Sequence, residues 1–260
     1  MTREPAVAGF FYPKNPATLR QEVSDFIQES HCSDLSPKAL IAPHAGYRYS
    51  GPIAASAYTH LQNLKDTIKT VLLIGPSHQV PVDGLAASSA EFFETPLGTV
   101  PVDQKVNVRL MDTFNFVRYD DDAHRPEHCL EVQLPFLQTL IEGFKIVPLL
   151  FGNSLPQQVS DVLETLWEDT ATLIVISSDL SHYYDYQTAR RIDANTTRAI
   201  EACDSKTING EMACGHIAIR GCLQSVKKHH LQVHTVDLRN SGDTQGDKTR
   251  VVGYGAYLFT

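Results

Sequence analysis

The sequence predicts a single α/β domain, a three-layer α/β/α arrangement with helices on both faces of a largely parallel or mixed sheet. Three observations carry that expectation. Short β-rich runs ended by turn residues alternate along the chain with helical patterns, the order that builds a layered α/β sheet. No low-complexity linker, charge block or internal repeat interrupts the chain, so residues 1–260 read as one domain. With 42% hydrophobic and 20% charged residues, the composition is that of an ordinary globular protein with ample material for a core.

The elements follow in order. "NPATLRQEVSDFIQES" (15–30) repeats its apolar residues at helical spacing. "KALIAPH" (38–44) is a short apolar run stopped by Pro43-His44 and a Gly-containing turn, hence a strand. A small-residue helix, "PIAASAYTHLQNL" (52–64), comes next, then the strand "TVLLIGPSH" (70–78). The amphipathic pattern "EVQLPFLQTLIEGF" (131–144) leads into the strand "FKIVPLLFG" (144–152), the helix "LPQQVSDVLETLWED" (155–169) and the strand "ATLIVISSDLSH" (171–182). Two further helices, "DYQTARRIDANTTRAIEAC" (185–203) and "CGHIAIRGCLQSVKKHH" (214–230), precede the last strands. The second of them closes on the chain's one short basic cluster, where cations suit the helix dipole. "LQVHTVDLRNSGD" (231–243) and "VVGYGAYLF" (251–259), joined by a short loop, add an antiparallel hairpin.

Charge and motif content narrow the function classes. A formal charge of −8 argues against a general affinity for nucleic acid or an anionic membrane. Five cysteines, Cys32, Cys129, Cys203, Cys214 and Cys222, form no C-x-x-C pair. An odd number without such spacing fits a reducing setting better than a disulfide framework. The N-terminus has no apolar core of a signal peptide, and no run approaches the roughly 18 apolar residues of a membrane span. The expected location is cytoplasmic. Neither G-x-x-x-x-G-K-[ST] nor G-x-G-x-x-G occurs, so no nucleotide cofactor is expected, and G-x-S-x-G is missing as well.

Three strand candidates end alike. Ala42-Pro43-His44 closes the first and Pro76-Ser77-His78 the second, while Ser177-Ser178-Asp179 with Ser181-His182 closes the fourth. One strand-end histidine can cap a turn or sit in solvent. Open α/β sheets, however, bind ligands beyond the carboxyl ends of their strands, so parallel neighbours would bring these imidazoles to one crevice. Cys214 stands just before or within the first turn of the 214–230 helix, where the dipole favours a thiolate. Gly210 and Gly215 permit close backbone approach there; the other reading of Cys214 is a small buried apolar residue. Two imidazoles and a thiolate suit zinc, copper or iron and not magnesium or calcium. "HRPEHCLEVQLPFL" (124–137) adds Glu127, His128 and Glu131, which fit a crevice rim and equally fit the acidic preference of a helix N-terminus.

Seven ordered blocks, "REPAVAGFFYP", "APHAGYRYSGPIAASAY", "GPSH", "EHCLEVQLPFL", "SSDLSH", "CGHIAI" and "NSGDTQGDKTRVVGYGA", resemble the Memo family (mediator of cell motility). Its prokaryotic members are called AmmeMemoRadiSam system protein B. The resemblance runs from about Arg3 to the C-terminus and implies a domain like that of the class III extradiol dioxygenases, which are non-haem iron enzymes. It puts the family's metal-binding positions on His44, His78 and Cys214, and further crevice positions on Asp179, His182 and Tyr49. Phe11 stands where animal members carry a tryptophan, and it lacks the indole N–H donor. The dioxygenases hold iron(II) with two histidines and a carboxylate. A thiolate in the third place suits iron or copper redox chemistry and should alter ring-cleaving activity.

The leading expectation is therefore a metal-dependent redox protein with iron(II) or copper, or else zinc, on His44, His78 and Cys214. His182 would be its acid–base group. Asp179 would orient that ring or hold substrate, unless it caps a helix. Tyr49, Phe11 and His128 would bind a small molecule or peptide. Two other classes stand beside it. Animal relatives are linked to phosphotyrosine-containing peptides, which implies a non-catalytic peptide-binding or scaffold protein, with Arg48 and Arg250 as candidate anion contacts. The prokaryotic family name implies an accessory protein to a radical-SAM partner.

Overall fold

The computed structural model describes residues 1–260. From the N-terminus, β1 (Thr2–Arg3) leads into α1 (Pro16–Glu29), β2 (Ala39–Ala42), α2 (Tyr47–Tyr58) and β3 (Thr70–Pro76). An excursion of short elements follows: β4 (Leu85–Ala87), β5 (Phe92–Thr95), β6 (Gly98–Pro101), α3 (Gln104–Thr113), β7 (Val117–Tyr119) and α4 (Asp121–His124). Next come α5 (Leu134–Leu140), β8 (Lys145–Phe151), α6 (Pro156–Trp167), β9 (Thr172–Ser177) and β10 (His182–Tyr184). The chain ends with α7 (Tyr186–Glu201), α8 (His216–Lys228), β11 (Val233–Asn240) and β12 (Val251–Phe259).

Four apolar strands make the centre of the sheet, lying parallel in the order β2, β9, β3, β8. They read as near-continuous apolar runs because both faces are covered. Successive side chains alternate between faces. Leu40, Val71, Leu73 and Val175 join a core of 38 buried residues shared with α1, α2 and α5. Ile41, Leu72, Ile74 and Ile176 join a second core of 30 residues shared with α6 and α8. Two cores of comparable size make the domain three-layered, with one sheet between two helical layers.

The sheet is mixed because its flanks reverse. β12 runs antiparallel to β2 and forms an antiparallel hairpin with β11, as the sequence predicted. β4 is antiparallel to β8, with β7 parallel beside it. β1, β5 and β6 form a separate small sheet. All five cysteines are free, and no helix is long and apolar enough to cross a membrane.

Several expected boundaries move. The helix expected at 52–64 already starts at Tyr47 and ends in a 3-10 turn over Thr59–Leu64. The one expected at 131–144 is a 3-10 turn, Glu131–Gln133, followed by α5. The strand expected at 171–182 stops at Ser177, and His182 opens a separate strand paired with β12. The strands between β3 and α5 are of three or four residues, too short to show a period, and the ten-residue helix α3 among them was not foreseen.

Candidate metal centre

The carboxyl ends of the parallel strands open onto a cleft of about 720 Å³. His44 lies two residues past β2, His78 two past β3 and Asp179 two past β9. The three histidine-bearing runs are parallel neighbours as expected, in the order β2, β9, β3, so that β9 lies between the strands that carry His44 and His78. Strands two apart sit about 10 Å from each other, so the two imidazoles lean toward each other across the end of β9. Their ring centroids come to 5.2 Å.

Hydrogen bonds fix how each ring is presented. The Ser177 hydroxyl donates to the Cys129 carbonyl at 2.7 Å and accepts from Gln133 Nε2 at 2.9 Å. Its remaining acceptor position faces His44 Nδ1 at 2.9 Å, so Nδ1 carries the proton and Nε2 keeps its lone pair. His78 Nδ1 faces the Glu127 carboxylate at 2.9 Å. A carboxylate only accepts, so His78 also has Nδ1–H and a free Nε2. Asp179 Oδ1 accepts the His44 backbone N–H at 2.8 Å, pinning the turn after β2. Asp179 caps no helix.

The electrostatics follow from burial and these contacts. Burial, with His78 and His128 nearby, holds His44 well below the usual histidine range, so it is neutral. His128 is lowered by burial as well. Burial opposes charge on His78, yet the Glu127 carboxylate outweighs it and raises that pKa. Burial also works against charge on Glu127, but His78 holds it down at about 2. Asp179 is raised by burial, with His182 acting in the opposite direction.

Cys214 sits two residues before α8, its Sγ 3.4 Å from His44 Nε2 and 3.6 Å from the Asp179 carbonyl. The approach requires Gly215, where a Cβ would lie 2.4 Å from that of Ser178. The helix-dipole expectation fails here. Burial, then the Asp179 carboxylate, pushes the thiol up to about 12, so it is protonated while no cation is near it.

The structure thus brings His44 together with both His78 and Cys214. It groups the donors somewhat differently from the sequence, however. The three that lie within 4.8 Å of one another are those of His44, His78 and His128, and a second such group is His78, Glu127 and Cys129. His128, expected only as a substrate contact, stacks on His78 at 5.2 Å and meets Phe11 at 4.8 Å. His182, expected as the third strand-end imidazole, lines the cleft beyond this trio. Tyr49 and Phe11 line it too. Sequence reasoning missed Ser177 and did not foresee Glu127 as the partner of His78. Ser177 sat in the "SSD" block as an unremarkable strand end. Glu131 lies off the rim, buried under Arg3 and the Tyr12 hydroxyl, and its helix-dipole explanation gives way to that ion pair.

The His/Glu/Cys group can hold a metal ion. Its imidazoles are in neutral or neutralisable form with Nδ1 occupied, the arrangement found behind metal-ligating histidines.

Comparison with known proteins finds matches over nearly the whole chain. The family model described as "Memo-like protein" matches residues 3–258. A "MEMO1 family protein" of Sulfolobus acidocaldarius is 34% identical, with 100% of this chain and 99% of that protein aligned. Namesakes from Aquifex aeolicus (34% identical; 99% and 98% aligned) and Aeropyrum pernix (36%; 98% of both) are similar to it to the same degree. With end-to-end matches on both the family model and these relatives, the chain belongs to the Memo family.

Proposed function

We propose that this protein is a metal-dependent redox protein resembling the non-haem iron dioxygenases, with iron or copper held by His44, His78 and Cys214. The observation that carries this reading is the pair of locked imidazoles. Ser177 and Glu127 occupy both Nδ1 atoms, and His44 presents its free Nε2 to Cys214. Two histidines and a sulfur form a soft donor set that favours iron, copper or zinc over magnesium or calcium. Bound there, iron or copper would supply one-electron exchange and open coordination positions.

The chain's own residues supply the rest. Ser177, Glu127 and Asp179 hold the ligand-bearing turns still. His182 lines the cleft outside the ligand set, placed to move a proton at a ring nitrogen. Phe11, Tyr49 and His128 give a substrate its wall. The test is elemental analysis of protein purified anaerobically, without chelators or a histidine tag. About one iron or copper per chain is expected. Metal-free protein whose melting point is unmoved by iron(II), copper(I) or zinc would end the reading.

A further inference from the structure

The mouth of the cleft carries groups that the metal centre leaves unused. Arg48 and Arg250 both line it. Arg48 lies over the Tyr49 ring at 4.8 Å and Arg250 over Tyr183 at 4.7 Å. The arginine ion pairs of the protein fall elsewhere, on Arg3, Arg118, Arg125 and Arg239. A guanidinium stacked on a ring keeps its edge N–H donors free, and that fork matches a carboxylate.

Tyr183 adds an independent sign. Its φ is +64°, a costly conformation for a bulky residue. It falls where the register of β10 against β12 shifts. Such a bulge re-aims side chains, and here it leaves the ring 62% exposed, 5.7 Å from His182 and against Arg250. Phe10, 89% exposed at the same mouth, and Phe11 behind it extend the aromatic lining toward His128. Flat apolar walls with a guanidinium at the rim suit a planar molecule bearing an acid group. Two carboxylates share the cleft, Asp179 in its floor and Asp247 at the rim. They repel a phosphate dianion more strongly than a carboxylate monoanion.

We propose that the cleft takes a small planar carboxylate, its acid group held by Arg48 and Arg250 and its body running past Tyr183 and Phe11 toward the imidazoles. This rests on the reading of the cleft as the substrate site and names the substrate class.

The test uses full-length, chelator-treated protein titrated calorimetrically with benzoate, with its neutral isostere benzamide and with phenyl phosphate. Benzoate should bind about tenfold or more tightly than benzamide, as a charge-assisted hydrogen bond implies. Arg48→Ala and Arg250→Ala should each weaken benzoate roughly fivefold or more, weaken benzamide much less, and leave the melting point unchanged. Equal affinity for benzoate and benzamide, or unchanged benzoate binding in the double variant, would overturn the proposal. Tighter binding of phenyl phosphate through the same arginines would overturn the choice of a carboxylate. The two readings fail separately. Benzoate binding by a protein that takes no metal leaves the anion site standing, and metal uptake by a protein blind to benzoate removes only the anion site.

Discussion

Glu127→Gln tests how the centre is held. The buried carboxylate accepts from the backbone N–H of His78, His128 and Cys129 and from His78 Nδ1. Burial alone would raise its pKa, yet His78 brings it from an ordinary 4.5 to about 2. That difference of about 2.5 pH units, at about 1.36 kcal/mol each, corresponds to about 3 kcal/mol of stability. Because the folded value is the lower one, this contribution is complete above about pH 4.5 and is lost as the pH falls toward 2. The raised His78 pKa describes the same pair from the other side. Its share is complete below about pH 6.5 and is lost as the pH rises through the folded value, so the pair is worth most from about pH 5 to 6.5. Glutamine keeps the shape but offers one acceptor oxygen where the carboxylate offered two. Urea unfolding of chelator-treated protein near pH 6 should therefore show the variant weaker by about 3 kcal/mol, with the gap closing toward about pH 3. A loss below about 1 kcal/mol near pH 6, or a gap that widens in acid, would refute the reasoning.

Three further outcomes are expected. Metal added at a hundredfold excess over its dissociation constant should stabilise the wild type by about 2.7 kcal/mol, raising the melting point by roughly 5–10 °C in differential scanning calorimetry. His182→Ala should keep its metal and fold while losing about 10²–10⁴-fold in oxygen consumption with a reductant, whereas Cys214→Ala should lose metal in elemental analysis. If His128→Ala loses the metal and Cys214→Ala keeps it, the third donor is the imidazole. Gly253→Ala would place a Cβ 2.1 Å from Asp193 Oδ2, and chemical denaturation should show a loss of about 1–3 kcal/mol from overpacking.

The long apolar strands and the amphipathic helices were legible because burial on one or two faces writes a period into the sequence. Strand-end His44 and His78 were legible for the same reason, since their position follows from where an apolar run stops. What stayed hidden depends on chain crossing. Nothing local says that β9 lies between β2 and β3, or that the Glu127-His128 loop folds over β3 to meet His78. The two readings of Cys214 could not be separated, because proximity to a helix start is visible in sequence, whereas burial beside Asp179 is not. Tyr183 likewise gives no sequence sign of its left-handed backbone.

The insertion of β9 also orders events in time. β2 and β3 leave the ribosome close together, while the strand between them follows roughly 100 residues later, and long-range pairings of this kind form slowly. Until β9 is seated, Ser177 is not beneath His44, and Asp179 does not hold the turn that carries it. A nascent chain that ends after β8 would carry both histidines, with Glu127 already available to His78 but no cradle for His44. Capture of a cation at His44 would therefore be a late event in the life of the molecule. It follows closure of the sheet, and its rate in a refolding experiment should be limited by that closure rather than by the concentration of metal.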